Sequence, residues 1–121
     1  MDIVANALNC MMNAKKAGKN SCSVPASKLL LQVLSLLKEE GYVNSFTKQD
    51  ANVIIEFGTF NKCGAIKPRF YVKKNGYEKF VTRYLPARDL GIIIVSTNKG
   101  VVNHKKAIEE GLGGSLIAYA Y

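Results

Sequence analysis

Ser96-Thr97-Asn98-Lys99-Gly100 puts two hydroxyls, an amide, a cation and a glycine into five consecutive residues. Ser and Thr hydroxyls both donate and accept, so they reach phosphate oxygens, ribose hydroxyls and base edges alike. Asn98 can pair with a base edge, and Lys99 can contact a phosphate. Gly100 permits a tight backbone conformation. Exposed N–H groups of such a segment can form an anion-binding concavity. An ordinary polar turn has the same composition, so the motif alone leaves both readings open. Gly113 and Gly114 sharpen it. They precede the apolar run Leu116 to Tyr121, and two residues without side chains let another backbone come close. If the stretch from Asn103 to Glu110 is a helix that folds back, the glycine pair meets the Ser96 segment on one surface. That combination suits gripping a polyanion better than processing a small substrate.

The charge points the same way. The 121 residues carry a net charge of +8. Residues 1–66 hold seven Lys against five acids, and residues 67–121 hold seven Lys and three Arg against four acids. Excess cation on one half fits phosphate binding, which releases condensed counterions. Lys67, Arg69, Lys73 and Lys74 form a basic segment with Phe70 and Tyr71 interleaved, a pattern shared by RNA-binding strands and by solvated strand faces. Tyr119 and Tyr121 alternate on one strand; stacking on unpaired bases and core packing are both open to them.

Catalytic and metal chemistry find little support. Cys10, Cys22 and Cys63 are widely spaced in the sequence, odd in number and without a CxxC pair, which argues against a disulfide framework or a zinc site. Cys10 and Cys22 read as small hydrophobes. Cys63 lies in a turn-like context beside Lys62, with no His near it in the sequence. His104 is the only histidine. It follows a helix cap and is expected on the surface. Neither a phosphate-binding nucleotide loop nor a dinucleotide fingerprint occurs. No cofactor is expected. No apolar run reaches the roughly 18 residues of a membrane span, and Asp2, three Asn and no cationic start make residues 1–14 unlike a signal peptide.

The elements that must position these residues follow from periodicity. Residues 2–16 read as an amphipathic helix with Val4, Ala7, Leu8, Met11 and Met12 inward, Asp2 at its positive end and Gly18 after it. Ser21 to Val24 is a strand leading to Pro25. Residues 26–40 form a second helix with Leu29, Leu30, Val33, Leu34 and Leu37 on one side and Gly41 as its stop. Tyr42 to Thr47 and Val53 to Phe57 alternate as strands around a polar loop at 48–52. Phe60 to Gly64 reads as a turn and Pro68 to Lys74 as a strand. Tyr77 to Tyr84 is a short helix with Phe80, Val81 and Tyr84 inward, ended by Pro86. Leu90 to Val95 is a strand covered on both faces. Asn103 caps a helix that Gly111 stops, and Leu116 to Tyr121 closes the chain.

Taken together, these residues resemble the universal eighth protein of the small ribosomal subunit, the S-eight family. Three blocks carry the resemblance. The first is Asp2-Ile3-Val4-Ala5-Asn6-Ala7-Leu8 with Asn13-Ala14. The second is Pro25-Ala26-Ser27-Lys28-Leu29, followed by the leucine-rich helix and Gly41-Tyr42. The third, and the most specific, is Gly91 to Tyr121. The segment from Asn61 to Phe70, together with Leu85-Pro86, resembles the archaeal and eukaryotic branch. The resemblance implies an α/β (α+β) fold of two small lobes, each a short mixed or antiparallel sheet packed with helices. Residues 1–64 would form the N-terminal lobe and residues 65–121 the basic C-terminal lobe with most of the RNA binding. It implies a non-enzymatic structural constituent of the small subunit, cytoplasmic, whose partners are a stem of the central domain of small-subunit ribosomal RNA and neighbouring ribosomal proteins. The family's Ser-Thr-Ser-x-Gly motif maps to Ser96, Thr97 and Gly100, with Lys99 inside it and Gly113 and Gly114 alongside. The motif's third position is usually Ser and here is Asn98, a larger amide. Lys28, Lys73 and Lys74 are candidate phosphate contacts, joined by Lys15, Lys16 and Lys19. Two readings from other classes compete: a small enzyme using Cys63 or His104, and an adaptor whose basic face meets an acidic protein.

Overall fold

The computed structural model describes residues 3–66, 70–73, 75–87 and 90–121. It is an α+β protein with four helices, a three-stranded sheet and a five-stranded sheet among the described residues. The chain divides into two compact units, residues 1–64 and 65–121.

In the first unit, α1 (Ile3–Lys16) is followed by β1 (Ser21–Pro25), α2 (Lys28–Glu39), β2 (Val43–Gln49) and β3 (Asn52–Phe57). The strands pair antiparallel in the order β1-β3-β2. Helical spacing of Val4, Ala7, Leu8 and Met11 puts one face of α1 inside, and Leu30, Val33, Leu34 and Leu37 do the same for α2. Val53 and Ile55 alternate inward from the central strand. The Ser27 side chain accepts the Leu30 N–H at 3.1 Å and caps α2, so Pro25 closes β1 instead of opening the helix. The polar loop expected at 48–52 is shorter: β2 runs on to Gln49 and β3 resumes at Asn52, and Asp50 takes a positive φ of 54° in the tight turn. Asp can adopt that conformation, which is what permits so short a connection.

The second sheet has the order β4-β8-β6-β7, with β5 pairing β8 off that path. Its elements are β4 (Cys63–Ala65), β5 (Tyr71–Val72), α3 (Tyr77–Tyr84), β6 (Ile92–Thr97), β7 (Gly100–Asn103), α4 (His104–Glu110) and β8 (Gly114–Ala120). Ile92 to Val95 are buried throughout, as their unbroken apolar run requires. Ile93 and Val95 join Ile66, Val72, Tyr77, Val81, Leu85, Val102, Ala107 and Leu116 in the core of this unit. Tyr84, Tyr119 and Tyr121 are half-buried and stack in a row against it, with centroids 5.3 and 6.4 Å apart. Core packing is therefore the fate of both C-terminal tyrosines.

Several expectations need correction. Phe60 to Gly64 is not simply a turn, because Cys63 begins β4. β7 replaces the direct passage from the Ser96 segment to a helix, so Ser96 and Thr97 end a strand and only Asn98 and Lys99 turn. His104 is not a surface residue. It is 2% exposed, and its Nδ1 accepts the Ile93 N–H at 3.0 Å. Asn103 does cap α4 through a 2.8 Å bond from the Lys106 N–H, and Gly111 stops it in the left-handed conformation. Asp2, Lys67, Arg69 and Lys74 lie outside the described residues.

Candidate functional site

The hairpin β6–β7 sets the first wall of the site. Thr97 pairs with Gly100 across a two-residue turn. The Thr97 hydroxyl donates to the Gly100 carbonyl at 2.8 Å and accepts the Lys99 N–H at 3.2 Å. Both of its hydrogen-bonding directions thus serve the turn itself. Gly100 has φ of +114°, where a side chain would be strained. Ser96, one residue earlier, is half-buried and pairs with Val101 on one side and Ser115 on the other.

The second wall is the segment Gly111 to Gly114. It lies close because Gly114 pairs into the sheet beside Ser96; a Cβ there would collide with the Ser96 carbonyl oxygen and sit 2.8 Å from Val95 Cγ1. A Cβ on Gly113 would sit 2.7 Å from the Val72 carbonyl oxygen and 3.2 Å from Lys73 Cα. The glycine pair therefore brings β5, β6 and β8 together at one end of the sheet. Ser96, Thr97 and Asn98 face Gly111, Gly113 and Gly114 across a groove of about 320 Å³.

Tyr71 completes the groove. It is 72% exposed, the most exposed large apolar side chain among the described residues. Its strand neighbour Val72 is buried, so alternation sends the tyrosine outward. The sequence places this ring in the basic segment but does not single it out as a site residue. The signal was the alternation of Phe70, Tyr71 and Val72, but the two-residue length of β5 and its pairing with Ser115 and Gly114 are tertiary facts.

The candidate residues separate accordingly. Ser96, Thr97, Asn98, Gly113 and Gly114 converge on the groove. Lys99 and Gly100 stand exposed at the hairpin tip and do not line it. Lys73 is exposed, with its backbone against Gly113. Lys28 is exposed at the start of α2 in the other unit, and Lys74 lies outside the described residues. Among the described residues, Tyr71 is the single ionisable side chain of the lining. The described lining is thus an uncharged, hydroxyl- and backbone-rich slot, and exposed Lys73 and Lys99 of the same unit do not line it.

The residues of the enzyme reading are unsuited to catalysis. Burial pushes the Cys63 thiol up to about 12, an effect that nearby Lys15 only partly offsets, and its Sγ points at the Leu8 carbonyl, 3.7 Å away. At neutral pH it supplies almost no thiolate. Cys22 is also raised to about 12, first by burial and then by the adjacent Cys10. Those two thiols, distant in the sequence, are neighbours because α1 packs on β1. Burial, aided by Lys105, lowers the His104 imidazole to about 4, and its Nδ1 already holds a backbone N–H. No group of three His, Cys, Asp or Glu side chains able to hold a metal occurs among the described residues, and no helix is long and apolar enough to cross a membrane. Compared with known protein families, residues 2–121 match the model described as Ribosomal protein S8.

Proposed function

Since the chain belongs to the ribosomal protein S8 family over nearly its whole length, a family of structural small-subunit proteins and not of enzymes, we propose that its second unit clasps an irregular stem in the central domain of small-subunit ribosomal RNA through the groove between Ser96–Asn98 and Gly111–Gly114. The observation that carries this reading is the convergence of the hydroxyl segment and the glycine pair on one slot beside the exposed Tyr71 ring. Regular A-form RNA hides its base edges in a deep major groove. Bulges and splayed bases offer edges, 2′-hydroxyls and stacking faces instead. Ser96 and Asn98 supply donors and acceptors for those edges, and Tyr71 a flat ring for an unstacked base. The glycines let the RNA backbone approach closely. Thr97 acts through the turn that it braces.

Lys73, Lys99, Lys28 and Lys74 supply unselective attraction to phosphates. Partners on this reading are ribosomal RNA and adjoining small-subunit proteins, and the protein resides in the cytoplasmic small subunit. The resemblance of the segment from Asn61 to Phe70, with Leu85-Pro86, supports a place in the archaeal and eukaryotic branch.

Ser96→Ala is expected to weaken binding to a bulged central-domain stem by about 1–2 kcal/mol. Titrating that stem against both proteins checks it, and unchanged affinity removes Ser96 from the site. Lys73→Ala is expected to act differently. It should weaken binding to all RNAs evenly and flatten the plot of log affinity against log salt by about one phosphate's worth. Affinities measured at several salt concentrations separate the two kinds of contact. Sedimentation with small subunits in intact extracts tests the ribosomal assignment itself.

A further inference from the structure

The glycine wall of the groove has few side chains with which to hold itself in place. Gly111, Gly113 and Gly114 contribute none. Gly114 is held in β8 opposite Val72, so the position of the rest of the wall depends on how the two peptide groups flanking Leu112 are tied. On one flank, the Leu112 N–H donates to the Ala107 carbonyl at 2.8 Å, closing the end of α4 over the left-handed Gly111. On the other, the Leu112 carbonyl accepts the Tyr77 hydroxyl at 2.6 Å. Tyr77 is the first residue of α3 and only 1% exposed. Its ring is locked in the core of the second unit while its hydroxyl reaches 35 residues along the chain. The bond is at the short end for O–H···O.

We propose that Tyr77 is a positioning residue for RNA recognition: its hydroxyl holds the Leu112 carbonyl, and so fixes the glycine wall at the separation from Ser96–Asn98 that an irregular stem fits and a regular duplex does not. The inference rests on the groove being the RNA site. It assigns to Tyr77 an effect on discrimination and not on general attraction, because Lys73 and Lys99, the described lysines of this unit assigned to phosphate, do not line the groove.

The test uses the full chain and two RNAs at one salt concentration: a central-domain stem with its bulge, and the same stem made fully complementary. The wild-type protein is expected to prefer the bulged stem. Tyr77→Phe keeps the buried ring and removes only the bond, and is expected to cut that preference about tenfold while leaving affinity for the complementary stem and the salt dependence unchanged. A role confined to stability would lower the melting temperature and move both RNAs together. Gly113→Ala presses on the same wall from the β5 side and is expected to reduce the preference as well. The inference is overturned if Tyr77→Phe keeps the full preference, if it fails to fold, or if Gly113→Ala is without effect. A wild-type protein that does not prefer the bulged stem overturns the groove reading itself, before either variant is compared.

Discussion

Replacing Gly114 with alanine is expected to destabilise the second unit by about 3 kcal/mol, the upper end of what overpacking costs, and to abolish preference for an irregular stem. The residue's φ is not in the left-handed region, so alanine meets no conformational objection there. The whole effect comes from space. The new methyl would collide with the Ser96 carbonyl oxygen and lie 2.8 Å from Val95 Cγ1 and 3.0 Å from the Ser96 carbonyl carbon. Those atoms belong to β6, which is hydrogen-bonded to β7 on one side and β8 on the other and cannot step aside. The β6–β8 ladder, whose last pair is Ser96 with Ser115, must open at the groove. Gly100→Ala is the informative contrast. Nothing lies within 4 Å of a Cβ there, but φ is +114°, so the cost is backbone strain alone, about 1 kcal/mol. Urea unfolding of the two variants, read beside their RNA preference, distinguishes crowding in the sheet from strain in the hairpin.

Acidification is expected to cost the second unit about 3 kcal/mol through His104 alone. Folding lowers this imidazole from its ordinary value of 6.5 to about 4, chiefly by burial and secondarily through Lys105. The unfolded chain therefore binds the proton more readily than the folded one. The contribution is fully present above pH 6.5, declines as the pH falls towards 4, and falls no further below that. Protonation also turns Nδ1 from acceptor to donor, facing the Ile93 N–H 3.0 Å away. That bond continues the β6 ladder where β7 gives way to α4 after Asn103. Denaturant midpoints measured from pH 7.5 to 4 check the slope. His104→Gln should be less stable than the wild type at pH 7 and should lose this component of the slope.

Much of the fold was legible because its helices announce themselves locally. α1 and α2 show apolar residues at helical spacing with polar outer faces, and Asn103 and Gly111 bracket α4 with its cap and its stop. β6 was legible as an unbroken apolar run. What escaped was set by distant partners. β4 and β5 are three and two residues long, too short to carry a period, and exist because β8 pairs with them. β7 was hidden because Gly100-Val101-Val102-Asn103 is too brief to alternate and runs straight into a helix cap. His104 looked exposed because it follows a cap, yet the turn from β7 into α4 points it at β6. At the candidate site, Ser96 and the glycines were legible from residue type. Lys99 shares their segment but not the groove, since a two-residue turn carries it round to the hairpin tip. Tyr71 was read as part of the basic strand but not as a site residue, because its place beside the Ser96 segment depends on β5 pairing with β8. The adjacency of Cys10 and Cys22 likewise required knowing that α1 covers β1.

The strand order of the second sheet constrains when, during synthesis, the slot comes into being. All strands of the first sheet lie within residues 21–57, so that half of the molecule can assemble early in translation. The other half waits for β8, which furnishes Gly114, the inner neighbour of β6 and the edge on which β5 rests. Until Gly114–Ala120 has left the translating ribosome, Ser96 has no opposing wall and Tyr71 no fixed place. A nascent chain would thus offer RNA only its diffuse positive charge, and selective capture would be deferred until β8 has emerged and paired with β6.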